Sequence, residues 1–325
     1  MKKIVFGTLD GVEIIKYTLT CAGVEADIMT YGATLTALRV PDRDGKPVSV
    51  VFGHETLEGY LTQPGYHGAT VGRFANRIGK SQFVINGETF HVSANEGANC
   101  LHGGNKGLDK RIWTVVKEQE DLLQLNYLSP DGEEGFPGNL DVTVTYRLTT
   151  DKGLVIEYDA VSDKDTVISL TNHSYYNVGG VETTTDSLLL HINADRITPA
   201  DEELIPHGQF RDVAGNLFDF RTPKPFIGDL SADPVLGKRG CYDENFVLNG
   251  SGMRRIATLE GGNRGIKLEV FSDQPGMQIY TGNPHAIALE TQNFPNAVNC
   301  PEYPSPLLRA GEHYRTSTEY RFHNV

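Results

Sequence analysis

Apolar and polar residues alternate with a period of two along much of this chain. Residues 140–148 place Leu, Val, Val, Tyr and Leu at every second position, with Asp, Thr, Thr and Arg between them. Residues 154–160 place Leu, Ile, Tyr and Ala in the same way. Side chains at every second position of a strand lie on one face, so this pattern predicts β-strands with one buried face.

A tight hairpin is predicted around Asn86 and Gly87. This dipeptide separates the apolar segments 82–85 (QFVI) and 89–92 (TFHV). Asn and Gly accept the positive φ angles of a two-residue turn, so the two segments are expected to pair as antiparallel strands.

Short strands separated by turn residues are predicted along the whole chain. They are expected at 12–20, 24–40, 113–117, 122–128, 167–171, 187–193, 256–260, 266–272, 277–281, 286–290 and 315–323, and the best helical segment is 55–61. Such a chain predicts an all-β protein, a large antiparallel β-sandwich with few short helices. Because the sequence shows no Gly/Ser-rich linker and no internal repeat, residues 1–325 are expected to form a single domain.

Charge and composition exclude several classes of partner. The formal net charge is −13 and no Lys/Arg-rich segment is present, so neither nucleic acid nor an anionic membrane is an expected partner. No segment approaches the roughly 20 apolar residues of a membrane span, and the N-terminus has no apolar stretch of secretory length. The cysteines are far apart and show no CxxC pairing, which indicates free thiols in a reducing, cytoplasmic compartment. They are Cys21, Cys100, Cys241 and Cys300.

Four segments carry more polar side chains than core packing requires. They are residues 72–78 (GRFANRI), 101–104 (LHGG), 171–177 (TNHSYYN) and 287–295 (IALETQNFP). Taken singly, each has an ordinary interpretation: a loop arginine is usually solvated, a histidine beside glycines is usually structural, and a polar turn needs no function. Glu290 ends an apolar stretch, and partial desolvation there would raise its proton affinity.

Together the four segments supply a carboxylate, two imidazoles, a guanidinium and several amides and hydroxyls. This set suits proton transfer on a neutral, polyhydroxylated substrate. The sequence has no GxxxxGK[ST], GxGxxG or GxSxG motif. An alternative interpretation makes His102, His173, Asp243 and Glu290 metal ligands. No His-x-x-x-His type of spacing supports that alternative.

The same segments match a known family in its order. The chain resembles aldose 1-epimerases, the galactose mutarotase family, which implies a β-supersandwich fold. The matching segments are 72–78 (GRFANRI), 101–104 (LHGG), 131–138 (DGEEGFPG), 171–175 (TNHSY), 242–246 (YDENF), 274–283 (QPGMQIYTGN) and 289–295 (LETQNFP).

The resemblance implies a role for each matched residue. Glu290 resembles the general base, His173 the general acid and His102 the second active-site histidine of the family. Its sugar-contacting positions match Asn76, Arg77, Tyr175, Asp243 and Gln278. Arg73 precedes the matched Asn-Arg pair and is expected to be structural.

The implied reaction interconverts the α and β anomers of a free hexose of the glucose or galactose type. Only protons move, so no metal or organic cofactor is expected. The partner is then a small free aldose, and the protein is expected to be a monomer or a weak homodimer.

Two departures from the family pattern leave the choice of sugar open. Residues 284–289 form a short connection where many members carry a longer loop, and His285 within it is a candidate local contact. Glu244 stands where a histidine is common. The alternatives are an enzyme of the same fold for another sugar or a sugar phosphate, and a carbohydrate-binding protein without catalysis.

Overall fold

The alternating segments of the sequence form long antiparallel strands. Leu140–Leu148 buries every second side chain, and it pairs over its whole length with Gly153–Ser162. The computed structural model describes residues 1–63 and 65–325. No helix in these two ranges is long and apolar enough to cross a membrane.

The first part of the described chain contains fifteen strands and one short helix. They are β1 (Lys2–Leu9), β2 (Val12–Cys21), β3 (Val24–Met29), β4 (Thr34–Pro41), β5 (Pro47–Ser49), β6 (Val51–Phe52), α1 (Leu57–Thr62), β7 (Thr70–Val71), β8 (Arg77–Ile78), β9 (Gln82–Ile85), β10 (Glu88–His91), β11 (Cys100–Leu101), β12 (Thr114–Glu118), β13 (Leu122–Ser129), β14 (Leu140–Leu148) and β15 (Gly153–Ser162).

The second part contains fourteen strands and one short helix. They are β16 (Thr166–Val167), β17 (Thr171–Asn172), β18 (Tyr175–Tyr176), β19 (Leu188–Ile192), β20 (Ala194–Thr198), β21 (Arg211–Asp212), β22 (Lys224–Pro225), α2 (Pro234–Arg239), β23 (Asp243–Leu248), β24 (Arg254–Gly261), β25 (Ile266–Ser272), β26 (Gly276–Tyr280), β27 (Ile287–Gln292), β28 (Leu307–Leu308) and β29 (His313–Asn324). Single 3₁₀ turns lie at Gly79–Ser81, Leu108–Lys110, Glu133–Gly135 and Ala297–Asn299.

Three large antiparallel sheets organise these strands. The first has the order β1-β2-β3-β4-β5, and the second has the order β12-β13-β14-β15-β29-β25-β24-β19-β22. The third, seven-stranded sheet has the order β21-β20-β23-β26-β27-β18-β6. One hydrophobic cluster takes side chains from all three sheets, with Leu38, Ile156 and Leu289 as examples. The predicted all-β sandwich with few short helices is confirmed.

The predicted hairpin at Asn86 is confirmed in its register. Ile85 pairs with Glu88, and Asn86 and Gly87 adopt φ angles of 52° and 83°. The predicted helix 55–61 corresponds to α1, which starts after Thr56, whose hydroxyl accepts from the main-chain N–H of Gly59.

Two predicted strands are wrong in extent. Residues 24–40 form two strands, β3 and β4, which pair with each other across a turn at residues 30–33. The predicted strand 167–171 is interrupted at residues 168–170, between β16 and β17. In both places buried apolar residues continue through the irregular segment, so the hydrophobic pattern gave no sign of the break.

The cysteines are unpaired, as their spacing predicted. Cys100 and Cys300 are buried, whereas Cys21 and Cys241 are partly exposed.

Candidate active site

Strand β27 places Glu290 on the face of the seven-stranded sheet that points away from the main core. Leu289 belongs to that core, and the neighbouring Ala288 packs in a separate small cluster with Tyr175. Alternation along the strand therefore puts Glu290 on the same face as Ala288. Its side chain is only 2% exposed.

Two further predicted residues lie on this face. Gln278 of β26 is directly opposite Glu290 in the strand register. Its Nε2 donates to Oδ1 of Asp243, at the start of β23, over 2.6 Å. The Oε1 atom of Gln278 is buried and has no hydrogen-bond partner in the part of the chain that the structure describes. Gln278 and Asp243 thus form a fixed polar pair with an acceptor left over.

His173 lies beside Glu290 in the short connection between β17 and β18. Its main-chain N–H donates to the carbonyl of Ala69 and its carbonyl accepts from the N–H of Gly68, both over 2.9 Å. Its Nε2 is 3.5 Å from Oε1 of Glu290. Nδ1 of His173 and Oε2 of Glu290 are buried without a hydrogen-bond partner among the described residues. Each side chain therefore keeps a polar atom free for a ligand.

His102 follows strand β11, and its ring orientation is fixed by Asn76. The main-chain N–H of Asn76 donates to Nδ1 of His102 over 3.1 Å, and the N–H of His102 donates to the carbonyl of Asn76 over 3.0 Å. An amide N–H can only donate, so the neutral imidazole carries its proton on Nε2. His102 is thereby set up as a hydrogen-bond donor, with its ring centroid 5.2 Å from that of His173.

Arg77 connects the sheet residues to the segment that carries His102. Its Nη1 is 3.8 Å from Oδ2 of Asp243. Its Nε and Nη2 form a two-pronged pair with Glu96, over 2.6 and 2.9 Å. The guanidinium is therefore held by two carboxylates at once.

Arg73 has a different role, as expected from its position. It is buried, and its guanidinium donates to the side chain and carbonyl of Ser129 and to the carbonyls of Pro130, Pro137 and Gly138. These bonds tie the segment before Asn76 to the loop after β13. Arg73 is a structural residue.

The predicted site residues form one connected group, here called the polar cluster. Hydrogen bonds, ion pairs, ring contacts or strand pairing connect each member to at least one other. Its members are Asn76, Arg77, His102, His173, Tyr175, Asp243, Gln278 and Glu290.

Burial sets the proton affinities of the central residues. It raises the pKa of Glu290 well above the usual range; the charge of Asp243 adds to this and that of Arg77 opposes it. Burial also lowers the pKa of His173 to about 3 and that of His102 well below its usual value. Because one affinity rises and the other falls, the adjacent pair Glu290 and His173 holds a single proton over a wide pH range.

A metal centre fits this geometry poorly. One potential ligand atom from each of His102, His173 and Glu290 lies within 4.8 Å of the others. However, a neutral histidine that ligates a metal through one nitrogen normally donates a hydrogen bond from the other. Nδ1 of His102 accepts one instead. Ligation through its Nε2 would require the bond to Asn76 to break.

Comparison with known proteins identifies the family of the chain. The family model described as aldose 1-epimerase matches residues 16–321. The chain belongs to the aldose 1-epimerase family. It is 41% identical to the galactose mutarotase of Rattus norvegicus over 98% of this chain and 97% of the relative. It is 38% identical to the aldose 1-epimerase of Escherichia coli K12, over 93% and 92%.

Solved structures show the same fold. The galactose 1-epimerase of Lactobacillus acidophilus NCFM superposes with a TM-score of 0.87 at 28% identity, covering 99% of this chain and 98% of the other. The GalM/aldose epimerase homologue from C. elegans gives a TM-score of 0.85 at 28% identity, covering 95% of this chain and 99% of the other. The resemblance to the aldose 1-epimerase family and its supersandwich fold is confirmed.

The two departures from the family pattern lie beside the polar cluster. Nδ1 of His285 is 3.0 Å from the carbonyl of Thr183, so its ring contacts the loop between β18 and β19. Glu244 is buried and accepts from Arg239 over 2.7 Å and from the main-chain N–H of Asp243 over 2.8 Å. Glu244 therefore supports Asp243 from the strand on which both lie.

Two neighbours of the polar cluster were missed in the sequence. Glu96 binds Arg77, and the ring of Tyr66 contacts those of His102 and His173. Tyr66 stands between Gly65 and Gly68, and an aromatic residue in a glycine-rich turn is the signal that could have marked it. No local signal marks Glu96.

Proposed function

We propose that Glu290 and His173 are the acid–base pair with which this aldose mutarotase opens and recloses the ring of a free aldose. The observation that carries the proposal is the 3.5 Å separation between His173 Nε2 and Glu290 Oε1 in a buried setting. The two sugar oxygens that exchange protons, O1 and O5, are bonded to the same carbon. Groups that serve both oxygens must therefore lie close together.

The steps balance with protons alone. Glu290 takes the proton of the C1 hydroxyl while protonated His173 gives one to O5, and the C1–O5 bond breaks to give an aldehyde. Rotation about C1–C2 presents the other face of the aldehyde, and the same two transfers in reverse close the ring. The pair begins and ends with one proton.

The position of that proton responds to the bound sugar. Burial favours the proton on Glu290 when the pair is alone, because both side chains are then uncharged. In the bound sugar, the C1 hydroxyl donates to Glu290 and O5 accepts from His173. These two hydrogen bonds favour the ionised form of Glu290 and the protonated form of His173 instead. Sugar binding thus promotes the form that opens the ring.

The remaining members of the polar cluster orient the sugar and stabilise charge. The Nε2–H of His102 and the guanidinium of Arg77 supply donors for an oxygen that becomes negative. Asp243, Gln278 and Tyr175, with Asn76, are assigned to the other hydroxyls.

A neutral sugar fits better than a sugar phosphate. Arg77 is paired with Glu96 and also faces Asp243, so two carboxylates already balance its charge. A phosphate is bound mainly by unpaired cations and would be repelled by these carboxylates.

The proposal also includes the number of domains, the location and the oligomeric state that the sequence predicts. We propose one domain over residues 1–325, supported by the core that all three large sheets share. A cytoplasmic location is supported by the unpaired thiols. A monomer or weak homodimer remains the expected state.

Polarimetry tests the function. Purified protein is added to freshly dissolved α-galactose or α-glucose, with xylose and arabinose completing the panel, and the spontaneous rate is subtracted. Acceleration of at least one sugar supports the proposal, and the order among the sugars gives the preference that the short 284–289 connection leaves open. Sugar binding without any acceleration would favour a carbohydrate-binding protein instead.

A further inference from the structure

The imidazole of His173 is flanked by two nearly parallel phenol rings. The ring of Tyr175 lies 5.1 Å away at 25°, and the ring of Tyr66 lies 5.8 Å away at 23°. Tyr66 also contacts His102 at 4.5 Å. Among the residues that the structure describes, Tyr66 is therefore the one outside the polar cluster whose ring contacts both histidines of the cluster.

We propose that Tyr66 is a positioning residue that holds His173 in the orientation and charge state needed for proton donation. This inference rests on the proposed role of His173. The electron-rich face of an aromatic ring attracts a cation, so a phenol stacked on the imidazole favours its protonated form. Burial acts in the opposite direction, and the stacked rings offset part of its effect without admitting water.

Tyr66 adjoins a lysine and a cavity, and its main chain is hydrogen-bonded. Lys110 Nζ lies 5.7 Å from the ring centroid. Tyr66 is also part of the wall of a cavity of about 300 Å³, which Tyr60 and His67 line as well. The main chain next to it is fixed, since the N–H of Ala69 donates to the carbonyl of Tyr66 over 2.9 Å.

Other titratable groups also act on His173 and must stay unchanged in a test. Glu290 faces it from β27, and His67 and His102 lie close by. His67 is itself hydrogen-bonded to His54, over 3.2 Å. A substitution at Tyr66 that is both apolar and bulky changes none of these residues and removes the aromatic face together with the hydroxyl.

Two substitutions separate the possible roles of Tyr66. Tyr66→Phe keeps the ring and removes the hydroxyl, whereas Tyr66→Leu keeps apolar bulk and removes the ring. We expect Tyr66→Phe to keep nearly wild-type kcat and KM. We expect Tyr66→Leu to lower kcat by about 2- to 30-fold with little change in KM. Leu61→Ala, which alters the same cavity wall at a residue outside the ring contacts of His102 and His173, is the matched control.

A titration that does not depend on activity completes the test. The ring of His173 is followed by NMR with labelled histidine, and we expect its protonation to require lower pH in Tyr66→Leu than in Tyr66→Phe. A normal kcat and an unchanged titration in Tyr66→Leu, in a folded and active background, would overturn the role of Tyr66 alone. A raised KM in Tyr66→Phe would overturn it too, because the hydroxyl would then be a sugar contact. If the wild-type protein itself fails to accelerate mutarotation, the proposed function fails, and the titration still reports on the stack.

Discussion

His102 shows how a main-chain contact can decide the chemistry of a side chain. The N–H of Asn76 donates to its Nδ1, so Nε2 must carry the proton of the neutral ring. Burial, together with the positive charge of a protonated His173 and of Arg77, lowers the pKa of His102 and keeps it neutral. Its proposed role is therefore that of a hydrogen-bond donor, distinct from the acid role of His173.

Substitutions at His102 test this tautomer. We expect His102→Leu to lower kcat by about 10²–10³-fold, the usual loss of one such donor. His102→Gln places an amide N–H close to the position of Nε2 and should retain more activity than His102→Asn, whose amide replaces Nδ1. Polarimetric kcat values for the three variants check the order, and equal losses in Gln and Asn would contradict it.

The roles of single residues were predictable only in part. Glu290 and His173 stand out because polar side chains follow apolar strands at both places, and the family motifs then assigned their roles. Tyr66 and Glu96 were missed because their partners lie elsewhere in the chain. The contact of Tyr66 with His173 spans more than a hundred residues, and no local pattern encodes it.

The element that presents His102 is a tight turn after β11. His102, Gly103 and Gly104 all have positive φ angles, of 52°, 86° and 104°. A Cβ atom on Gly103 would lie 1.9 Å from the carbonyl oxygen of Gly72, in the segment that leads to Asn76. The turn and the segment can approach each other only because Gly103 has no side chain.

The substitution Gly103→Ala should therefore lower stability and activity far more than the same substitution at an open turn. We expect it to cost at least about 3 kcal/mol of unfolding free energy, through clash and strain, and to reduce activity by displacing His102. Gly87→Ala is the matched control, because Gly87 has a φ of 83° and the described residues place no atom within 4 Å of the added Cβ. Its cost should be about 1–2 kcal/mol. Equal losses in urea unfolding would show that the contact with Gly72 is unimportant.

The best-predicted elements are those whose conformation depends on residues next to each other in the sequence. The hairpin at Asn86 was predicted with its register, because the turn chemistry lies within the dipeptide itself. The break between β3 and β4 was missed because Met29, Tyr31 and Ala33 are all buried around it. Tertiary contacts bury the turn at residues 30–33, so the apolar positions continue through the turn as they would in a single strand.

At the scale of the whole molecule, the buried histidines couple stability to pH. Burial lowers the pKa of His173 to about 3, whereas an unfolded histidine titrates near its ordinary value. At the His173 site the unfolded chain therefore binds more protons than the folded protein between about pH 6.5 and 3, so the contribution of this residue to stability falls as pH falls through this window. Glu290 acts in the opposite sense, since its raised pKa removes stability as pH rises.

Acidification should thus destabilise the wild type more steeply than a variant without this imidazole. We expect the unfolding free energy of the wild type to fall by about 1.4 kcal/mol more per pH unit than that of His173→Gln, below pH 6. Urea unfolding at pH 6.5, 5.5 and 4.5 measures the slopes. His91→Gln, at an exposed strand position, controls for the loss of one imidazole, and parallel slopes for the wild type and His173→Gln would refute the coupling.

The measurement that tests the central claim most directly is kcat/KM for mutarotation in Glu290→Gln. The amide keeps the size of the side chain but cannot accept the C1 proton, so we expect a loss of about 10²–10⁴-fold with the fold intact. Glu157→Gln, in β15 with a side chain 44% exposed, should retain wild-type activity. Near-wild-type kcat/KM in a folded Glu290→Gln variant would contradict the assignment of Glu290 and His173 as the proton-transfer pair.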